Sequence, residues 1–431
     1  MKKYILSFAA VAAMLASCSQ DDHLEIAGND TANNTPQPIT TIYASSENGT
    51  RAAVNGNDRT QILWQDGDEM KVFNRGMTAS YSLNDGAGTT SGVFENGESN
   101  ITGIEVVMYP YQENATFANN KLSFEIPTVQ EGVLGSFDKN AAIMYGLGSS
   151  ANQQLSLAVN FLKITIPVGV HSVTISSPTT SLTGKMELEG GNVSAVTGEG
   201  CNYVRLVPAN GQTRFNAGDY YIAVKHGEIE TPTITFVQDN NLLGSSVLQE
   251  ISKTSSNNIQ FSDNKNVVPL RVDFNTGDVT QRFALQMWAG GPYFAQYNVG
   301  VTDGKEESYG GYYAWDGADT ATKLWGPNWR MPTQAELQSL LDNCEVELKW
   351  DPSEGFIGRK FTGKGDYATI SVLLPAAGSD NDFAQGVNGY YWSSTSDGSD
   401  KAYCLGFNSS KQWVEPSWSA YFTSVRAVIA E

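Results

Sequence analysis

The strongest local signal in this chain is a capped helix within residues 325–344. Pro332 has no backbone N–H and restricts the residue before it, so no helix can continue back through it. Thr333 and Glu336 have the spacing of a capping box, in which each side chain accepts a backbone N–H at the helix start. An apolar residue then recurs on one helix face, at Leu337, Leu340, Leu341 and Cys344. This interval predicts a helix of about three turns packed on a core.

The rest of the chain is predicted to be mainly β, because no other segment has a helix signal of comparable strength. Short alternating runs follow one another, with Gly, Asn, Ser and Thr between them, and strands are predicted at residues 62–64 and 70–73 among others. Strands that recur roughly every 8–12 residues with turn residues between them are typical of β-sandwiches. A length of 431 residues corresponds to about two to four domains.

The charge balance argues against a nucleic-acid partner. The chain has 27 basic and 46 acidic residues and a formal net charge of −19, whereas nucleic acids are bound by basic surfaces. Its three histidines, His23, His171 and His226, are scattered, which leaves little material for a histidine-based active site or a zinc site. We therefore predict that the protein is not an enzyme and needs neither a cofactor nor a metal.

The N-terminus has the features of an export signal. Lys2 and Lys3 precede an apolar run at residues 5–15, which is too short to span a bilayer stably. The run leads into Leu-Ala-Ser-Cys, which resembles the lipobox of bacterial lipoproteins. The resemblance implies that residues 1–17 are a signal peptide.

The lipobox resemblance also implies that Cys18 is the acylated first residue and anchors the precursor to a membrane. Asp21 and Asp22 follow it and resemble the surface-export signal of some Gram-negative lipoproteins. We expect an outer-membrane lipoprotein exported to the cell surface. Residues 18–37 are polar and are predicted to be a tether.

A series of motifs surrounds the capped helix. In chain order these are NVG at 298–300, GGYYAWDG at 310–317, WGPNWRMPTQAEL at 325–337, LLPAAGS at 373–379, GYYWSSTS at 389–396, AYCLGF at 402–407 and SVRAV at 424–428. Together they resemble the C-type-lectin-like module at the end of many bacterial surface proteins, the major paralogous domain type. The resemblance implies a mixed α/β ligand-binding domain at residues 277–431.

Three aromatic residues near the end of that module are the candidate ligand contacts, Trp413, Trp418 and Tyr421. Aromatic faces stack on sugars and are common in binding hot spots; the alternative is that they belong to the domain core. The calcium-dependent sugar motifs of C-type lectins are missing, since Glu415-Pro416-Ser417 matches one only superficially. The acidic loop at residues 380–382 has oxygen ligands suited to calcium, but no metal site is predicted there.

Cys344 and Cys404 lie in the same predicted domain and leave two alternatives open, a disulfide or two buried free thiols. Cys201 is expected to act as a small hydrophobic residue. Arg330 and Arg426 are expected to form ion pairs with buried carboxylates.

A second set of motifs lies earlier in the chain. They are TRA at 50–52, WQDGD at 64–68, KVF at 71–73, VVMYPY at 106–111, LAVNFLKITIPVG at 157–169, VTISS at 173–177, LTGKMEL at 182–188 and FNAGDYYIAVKHG at 215–227. Their order resembles the fimbrillin family, the Mfa-like type V pilins. The resemblance implies two β-sandwich domains, at residues 38–153 and 154–276.

The fimbrillin resemblance also implies a route of assembly. A strand predicted at residues 38–45 precedes a polar loop that contains Arg51 and Ala52. In this family an arginine-specific protease cuts such a loop, the first strand leaves, and another pilin subunit supplies a donor strand. Arg51 is the predicted cleavage site, Arg59 is the alternative site, and the other alternative is a merely solvated arginine.

The function predicted from these resemblances is a surface lipoprotein pilin with a lectin-like head, acting as the tip adhesin of a type V pilus. Its ligand would be a host or bacterial surface molecule, with glycans among the candidates. The C-terminal position of the lectin-like module favours a tip subunit, because stalk subunits of this family use their C-terminal region as a donor strand. The alternative is a non-polymerising surface lipoprotein that captures glycans. The head is expected to fold independently.

Overall fold

The computed structural model describes residues 36–46, 63–240, 244–261, 267–270, 272, 274, 279–351, 353, 355–380, 384–398 and 400–430. The predicted signal peptide and tether lie almost wholly outside this range, as do Arg51, Ala52 and Arg59. Residues Pro38–Glu431 fall in one compact unit.

The described chain is mainly β-structure. The strands up to residue 166 are β1 (Thr41–Ser46), β2 (Glu69–Asn74), β3 (Met77–Asp85), β4 (Ser91–Glu95), β5 (Val106–Tyr109), β6 (Thr116–Ala118), β7 (Lys121–Ile126), β8 (Val129–Gly132), β9 (Met144–Leu147), β10 (Asn152–Leu157) and β11 (Val159–Ile166). Those that follow, up to residue 286, are β12 (Val170–Ser176), β13 (Thr183–Glu189), β14 (Asn192–Cys201), β15 (Tyr203–Pro208), β16 (Gly218–Lys225), β17 (Thr233–Asn240), β18 (Gly244–Thr254), β19 (Val267–Leu270) and β20 (Val279–Gln286).

The C-terminal part adds short strands and two helices. These elements are β21 (Tyr293–Ala295), β22 (Tyr313–Ala314), α1 (Thr320–Trp325), β23 (Trp329–Arg330), α2 (Gln334–Asn343), β24 (Glu345–Asp351), β25 (Gly355–Thr362), β26 (Ser371–Pro375), β27 (Asn388–Ser396), β28 (Lys401–Asn408), β29 (Gln412–Trp418), β30 (Phe422–Thr423) and β31 (Val428–Ile429). Two 3-10 helices lie at Lys139–Ala141 and Gly365–Tyr367. No helix in the described residues is both long and apolar enough to cross a membrane.

The first sheet closes on itself, in the order β1-β10-β9-β5-β2-β3-β4. Trp64 fills its interior and meets the rings of Phe94 and Tyr109 edge to face, with centroids 5.1 and 5.0 Å away. The strand expected at residues 38–45 is observed as β1, and that expected at 70–73 as β2. A strand was also expected at residues 62–64, but Leu63 and Trp64 are irregular.

A nine-stranded sheet forms the central layer, in the order β23-β31-β21-β20-β18-β17-β12-β15-β8. One face carries Val173, Ile175 and Phe236, which share a buried cluster with Leu162 and Ile164 of β11. Strand β11 is the middle of a separate sheet, β16-β11-β19, so these two sheets pack as a sandwich. The other face carries Val237 and Leu248, which are buried with residues of the C-terminal part.

The central sheet contains strands from both sides of residues 276 and 277, where a domain boundary was predicted. Strands β18 and β20 pair antiparallel from Val247↔Leu285 to Lys253↔Val279. Glu250, almost fully buried, accepts from Arg282 at 2.7 Å and from Asn328 at 3.3 Å. Seven residue pairs and the ion pair between Glu250 and Arg282 therefore join the residues before and after this boundary. The predicted domain bounds stay predictions.

The capped helix is confirmed as α2. Thr333 accepts from the backbone N–H of Glu336, and the Glu336 carboxylate accepts from the N–H of Thr333, which completes the capping box. Leu337, Leu340 and Cys344 are buried, as the periodicity predicts. Arg330 makes the expected ion pair, because its Nη1 and Nη2 donate to Oε2 and Oε1 of Glu336 at 2.7 and 2.6 Å.

We expect Glu336→Gln to lower the free energy of unfolding by about 1–2 kcal/mol at pH 7. Burial opposes ionisation of Glu336, but bonds from Arg330 and Thr333 outweigh it and lower its pKa. A lowered carboxyl pKa contributes stability above the unfolded value of roughly 4.3, and that stability is lost as the pH falls through the folded pKa. Urea unfolding at pH 7 and pH 3.5 should therefore show a smaller difference between variant and wild type in acid. Glu347→Gln, at an exposed site on β24, is the matched control; an equal Glu336→Gln effect at both pH values would contradict the ion-pair account.

Candidate functional site

Strand β1 closes the first sheet by pairing on both of its sides. It runs parallel to β10, with Tyr43↔Asn152 to Ser46↔Leu155 in register. It runs antiparallel to β4, with Thr41↔Glu95 to Ser45↔Ser91 in register. Because β1 lies between β10 and β4 and pairs with both, its removal would leave a slot bordered by one unpaired edge of each of these strands.

The side chains of β1 alternate between the core and the solvent. Ile42 is fully buried and Ala44 is 3% exposed, while Tyr43 between them is 53% exposed. Ile39, before the strand, also packs on the core, and its carbonyl accepts from the hydroxyl of Tyr81. Within the strand, Ile42 and Ala44 therefore place two apolar side chains in the slot, two positions apart.

A cleft of about 340 Å³ lies beside the far end of β1. Its lining includes Tyr43 of β1, Gly92 and Gln153 of the adjacent strands β4 and β10, and Asp85 of β3. Gly92 is closely packed on the side of the sheet interior, because a Cβ there would lie 2.8 Å from side-chain atoms of Leu83 and Trp64. The loop that follows β1, with its predicted cleavage site at Arg51 and Ala52, lies outside the described residues, as does Cys18.

The last described strand is held inside the fold. Strand β31 lies between β21 and β23, and Val425, Ala427, Val428 and Ile429 are all buried. The N–H of Ala430 donates to the carbonyl of Asn328 at 2.8 Å, and Arg205 donates to the carbonyl of Ala430. These residues are therefore not available as a loose strand.

The three candidate aromatic residues do not form one surface. Trp413 and Trp418 lie five positions apart on β29, whose pairing with β28 has no register shift, so they point to opposite faces. Trp413 is half-buried over Gly406, where a Cβ would come within 2.4 Å of its ring. Trp418 is 47% exposed, with the Lys401 ammonium 4.5 Å from its ring centroid.

Tyr421 lies next to Trp418, with which it shares a backbone hydrogen bond. Its N–H donates to the Trp418 carbonyl at 3.0 Å across the turn after β29, and its side chain is 53% exposed. Phe422, which belongs to none of the sequence motifs, follows this turn as the first residue of β30 and is also exposed. Trp418, Tyr421 and Phe422 are thus three exposed aromatic residues close together in the chain, and we call this set the aromatic turn.

Cys344 and Cys404 are two buried free thiols, so the disulfide alternative is not formed. They belong to different core clusters, Cys404 beside Trp392 and Trp329 and Cys344 beside Leu337 and Leu340. Burial raises the pKa of the Cys344 thiol to about 11 and that of Cys404 to about 12. Both thiols are therefore protonated and unreactive at neutral pH.

The expectation that Arg426 pairs with a buried carboxylate is wrong. Arg426 is 1% exposed and donates to Asn298 Oδ1 at 2.9 Å and to the carbonyls of Ala295, Gln296 and Leu373 at 3.0, 2.6 and 2.7 Å. Burial lowers the pKa of its guanidinium to about 10, which keeps it charged at neutral pH. Its positive charge is thus met by carbonyl dipoles.

No cluster of three or more potential metal-ligating side chains occurs among the residues that the structure describes. In the acidic loop at residues 380–382, only Asp380 is described, and its N–H donates to the carbonyl of Phe422 at 3.0 Å.

No known family and no curated protein matches the chain. Among solved structures, it is similar to a fimbrial protein from Bacteroides ovatus ATCC 8483, with 10% sequence identity over 92% of this chain and 99% of the other. The TM-score is 0.24, and a likeness at that level carries no argument about fold or function.

Proposed function

We propose that the protein is a pilin-like surface subunit whose first strand can be exchanged for a strand from another subunit. The observation that carries this proposal is the slot of β1, which pairs with β10 on one side and β4 on the other. A strand that leaves this slot opens a sheet that is otherwise closed. An incoming strand would regain both hydrogen-bonded ladders and the apolar burial of Ile42 and Ala44.

In this proposal the position in the fibre is a tip. A stalk subunit needs a strand that it can donate, and the residues of β31 are fixed between β21 and β23. The protein would then accept a strand without supplying one from this region. The aromatic turn would be a surface for a host or bacterial ligand, because exposed aromatic side chains commonly anchor binding.

The remaining parts of the proposal come from the sequence motifs. Cys18 would carry the lipid anchor of a precursor at the outer membrane and cell surface, and an arginine-specific protease would cut after Arg51. No catalytic role is proposed. If strand exchange does not occur, the alternative of a glycan-capturing surface lipoprotein is favoured.

The test is to cut the purified full-length protein with an arginine-specific protease and to add a fluorescent peptide of residues 38–46. We expect N-terminal sequencing to begin at Ala52 and the cut protein to take up one peptide per chain, measured by fluorescence polarisation. The uncut protein should take up none on the same timescale, because its slot is occupied.

Two peptide variants make this test specific for the slot. Ile42→Asp places a charge in the core and should abolish uptake, whereas Tyr43→Asp changes the exposed neighbour and should have little effect. Equal uptake of both variants, or uptake by the uncut protein, would count against strand exchange.

A further inference from the structure

Strand β24, in the C-terminal part, is exposed on both of its faces. Its three-stranded sheet has the order β24-β25-β26, so β24 is an edge strand, and it pairs only with β25 in the part of the chain that the structure describes. The four consecutive residues from Glu347 to Trp350 are all exposed. An edge strand of this kind presents unpaired backbone N–H and C=O groups to a further strand.

One face of β24 carries a row of apolar side chains. Val346, Leu348 and Trp350 occupy every second position and therefore share a face. Val346 is half-buried and packs on the core cluster that contains Leu337 and Leu340. Leu348 and Trp350 are 51% and 63% exposed, and no tryptophan that the structure describes is more exposed than Trp350. Adjacent exposed apolar side chains of this size are typical of an interaction surface.

The other face of β24 carries charged side chains. Glu347 lies opposite Lys360 of β25, so it has an opposite charge on that side. Lys349 lies opposite Gly358, which has no side chain. Opposite charges directly across two strands stabilise the pair, whereas like charges destabilise it. A carboxylate opposite Lys349 can therefore come only from a strand at the unpaired edge.

The sequence of β24 is complementary to itself in one antiparallel register. When Leu348 lies opposite Leu348 of a second copy, each Glu347 lies opposite a Lys349. Each Val346 then lies opposite a Trp350. The neighbouring registers that keep every side chain on its own face are centred on Glu347 or on Lys349, and each places two like charges directly opposite. Charge complementarity therefore favours the register centred on Leu348.

The ends of the strand limit the length of this pairing. Glu345 would lie opposite Asp351, and these two carboxylates repel each other. Asp351 already accepts from the backbone N–H and the hydroxyl of Ser353, in the turn that follows β24. We therefore expect the pairing to cover residues 346–350.

We propose that β24 is an interface for a second copy of this chain, which binds edge to edge and antiparallel. The two three-stranded sheets would form one continuous sheet with a two-fold axis at Leu348. Trp350 of each copy would pack on Val346 of the other, and each Lys349 would gain a carboxylate. The interface contains no residue of the β1 slot, so it does not depend on strand exchange.

A single pair of edge strands buries little surface, so the dimer should be weak in solution. It would form where copies are held close together, as on a cell surface, because proximity raises their effective concentration. At the low protein concentration of an unfolding experiment it would dissociate. Glu347 is then exposed, as the control for Glu336→Gln requires.

Cysteine cross-linking tests the interface. The background is the purified full-length protein with Cys18→Ser and Cys201→Ser, which leaves only the buried Cys344 and Cys404. Leu348→Cys in this background should give a covalent dimer under mild oxidation, seen by non-reducing gel electrophoresis. Opposite Cα atoms of antiparallel strands are roughly 4.5–5.5 Å apart, which is within the range of a disulfide.

The matched control is Leu147→Cys. Leu147 is 59% exposed on β9, but β9 is paired on both sides, with β10 and β5. This variant has an equally accessible thiol without an open edge and should stay monomeric under the same oxidation. If Leu348→Cys gave no more covalent dimer than Leu147→Cys, no second copy would occupy this edge and the proposal would be overturned.

A mixing experiment tests the register. Glu347→Cys and Lys349→Cys should each give little covalent dimer alone, because identical cysteines would lie two positions out of register and beyond the reach of a disulfide. An equal mixture of the two variants should cross-link, because residue 347 lies opposite residue 349. Cross-linking of either variant alone as strong as that of the mixture would contradict the register centred on Leu348.

Charge reversal gives a readout that needs no added cysteine. Glu347→Lys or Lys349→Glu alone places like charges opposite each other twice and should weaken the dimer by roughly tenfold, measured by sedimentation equilibrium at high protein concentration. The double variant restores opposite charges in this register and should return the affinity towards that of the wild type. A double variant that associates no more tightly than the two single variants would overturn the proposal.

Discussion

Arg426→Met should destabilise the protein strongly, by roughly 3–5 kcal/mol. Methionine is unbranched like the aliphatic part of arginine but has no donors, so Asn298 Oδ1 and three backbone carbonyls lose the hydrogen bonds from Arg426 in the interior. A buried acceptor left without a partner costs its full desolvation free energy. Urea unfolding followed by circular dichroism gives the measurement.

Two further variants make the Arg426 result specific. Arg426→Lys keeps the charge but not the planar fork that reaches acceptors in several directions, so it should fall between Met and wild type. Arg75→Met, at an exposed site, should change stability by no more than about 0.5 kcal/mol. If Arg426→Met were as stable as Arg75→Met, the carbonyl contacts of Arg426 would not be holding this part of the chain.

Removing residues 278–431 should produce aggregated protein instead of a soluble N-terminal part. The deletion strips β20 from β18 along seven paired residues and uncovers Val237 and Leu248. It also removes Arg282 and Asn328, which leaves the buried carboxylate of Glu250 without these partners. An exposed edge strand beside apolar surface is a template for aggregation. Size-exclusion chromatography with light scattering gives the measurement.

A shorter deletion is the matched control. A chain that ends after residue 297 keeps β20 and β21, so β18 retains its neighbour and Glu250 retains Arg282. We expect more soluble monomer from this chain than from the longer deletion. A soluble, cooperatively unfolding monomer from the longer deletion would show instead that the two parts fold independently, as the sequence alone suggested.

Local signals in the sequence were sufficient for α2. The capping box needs only Thr333 and Glu336, and the residues that form it lie within one turn of each other. Strand β2 was likewise predicted close to its observed bounds. Strand pairing was not predictable in this way, since β1 pairs with β10, more than a hundred residues away, and alternation along a strand does not name its partner.

The sites show the same division between local and distant information. The sequence grouped Trp413 with Trp418, but their odd spacing on a regular strand separates them. It also paired Arg426 with a carboxylate, because a sequence displays side chains and not the directions of backbone carbonyls.

The seam between β18 and β20 also determines how the protein would respond to pulling. If a ligand held the C-terminal part while the rest of the chain was anchored, the tension would not fall on a flexible linker. It would be shared by seven paired residues and by the contacts of Glu250 with Arg282 and Asn328. Separation would then be governed by the rate at which this whole set opens together, as in forced unfolding. The seam would thus act as a mechanical clamp between the two parts.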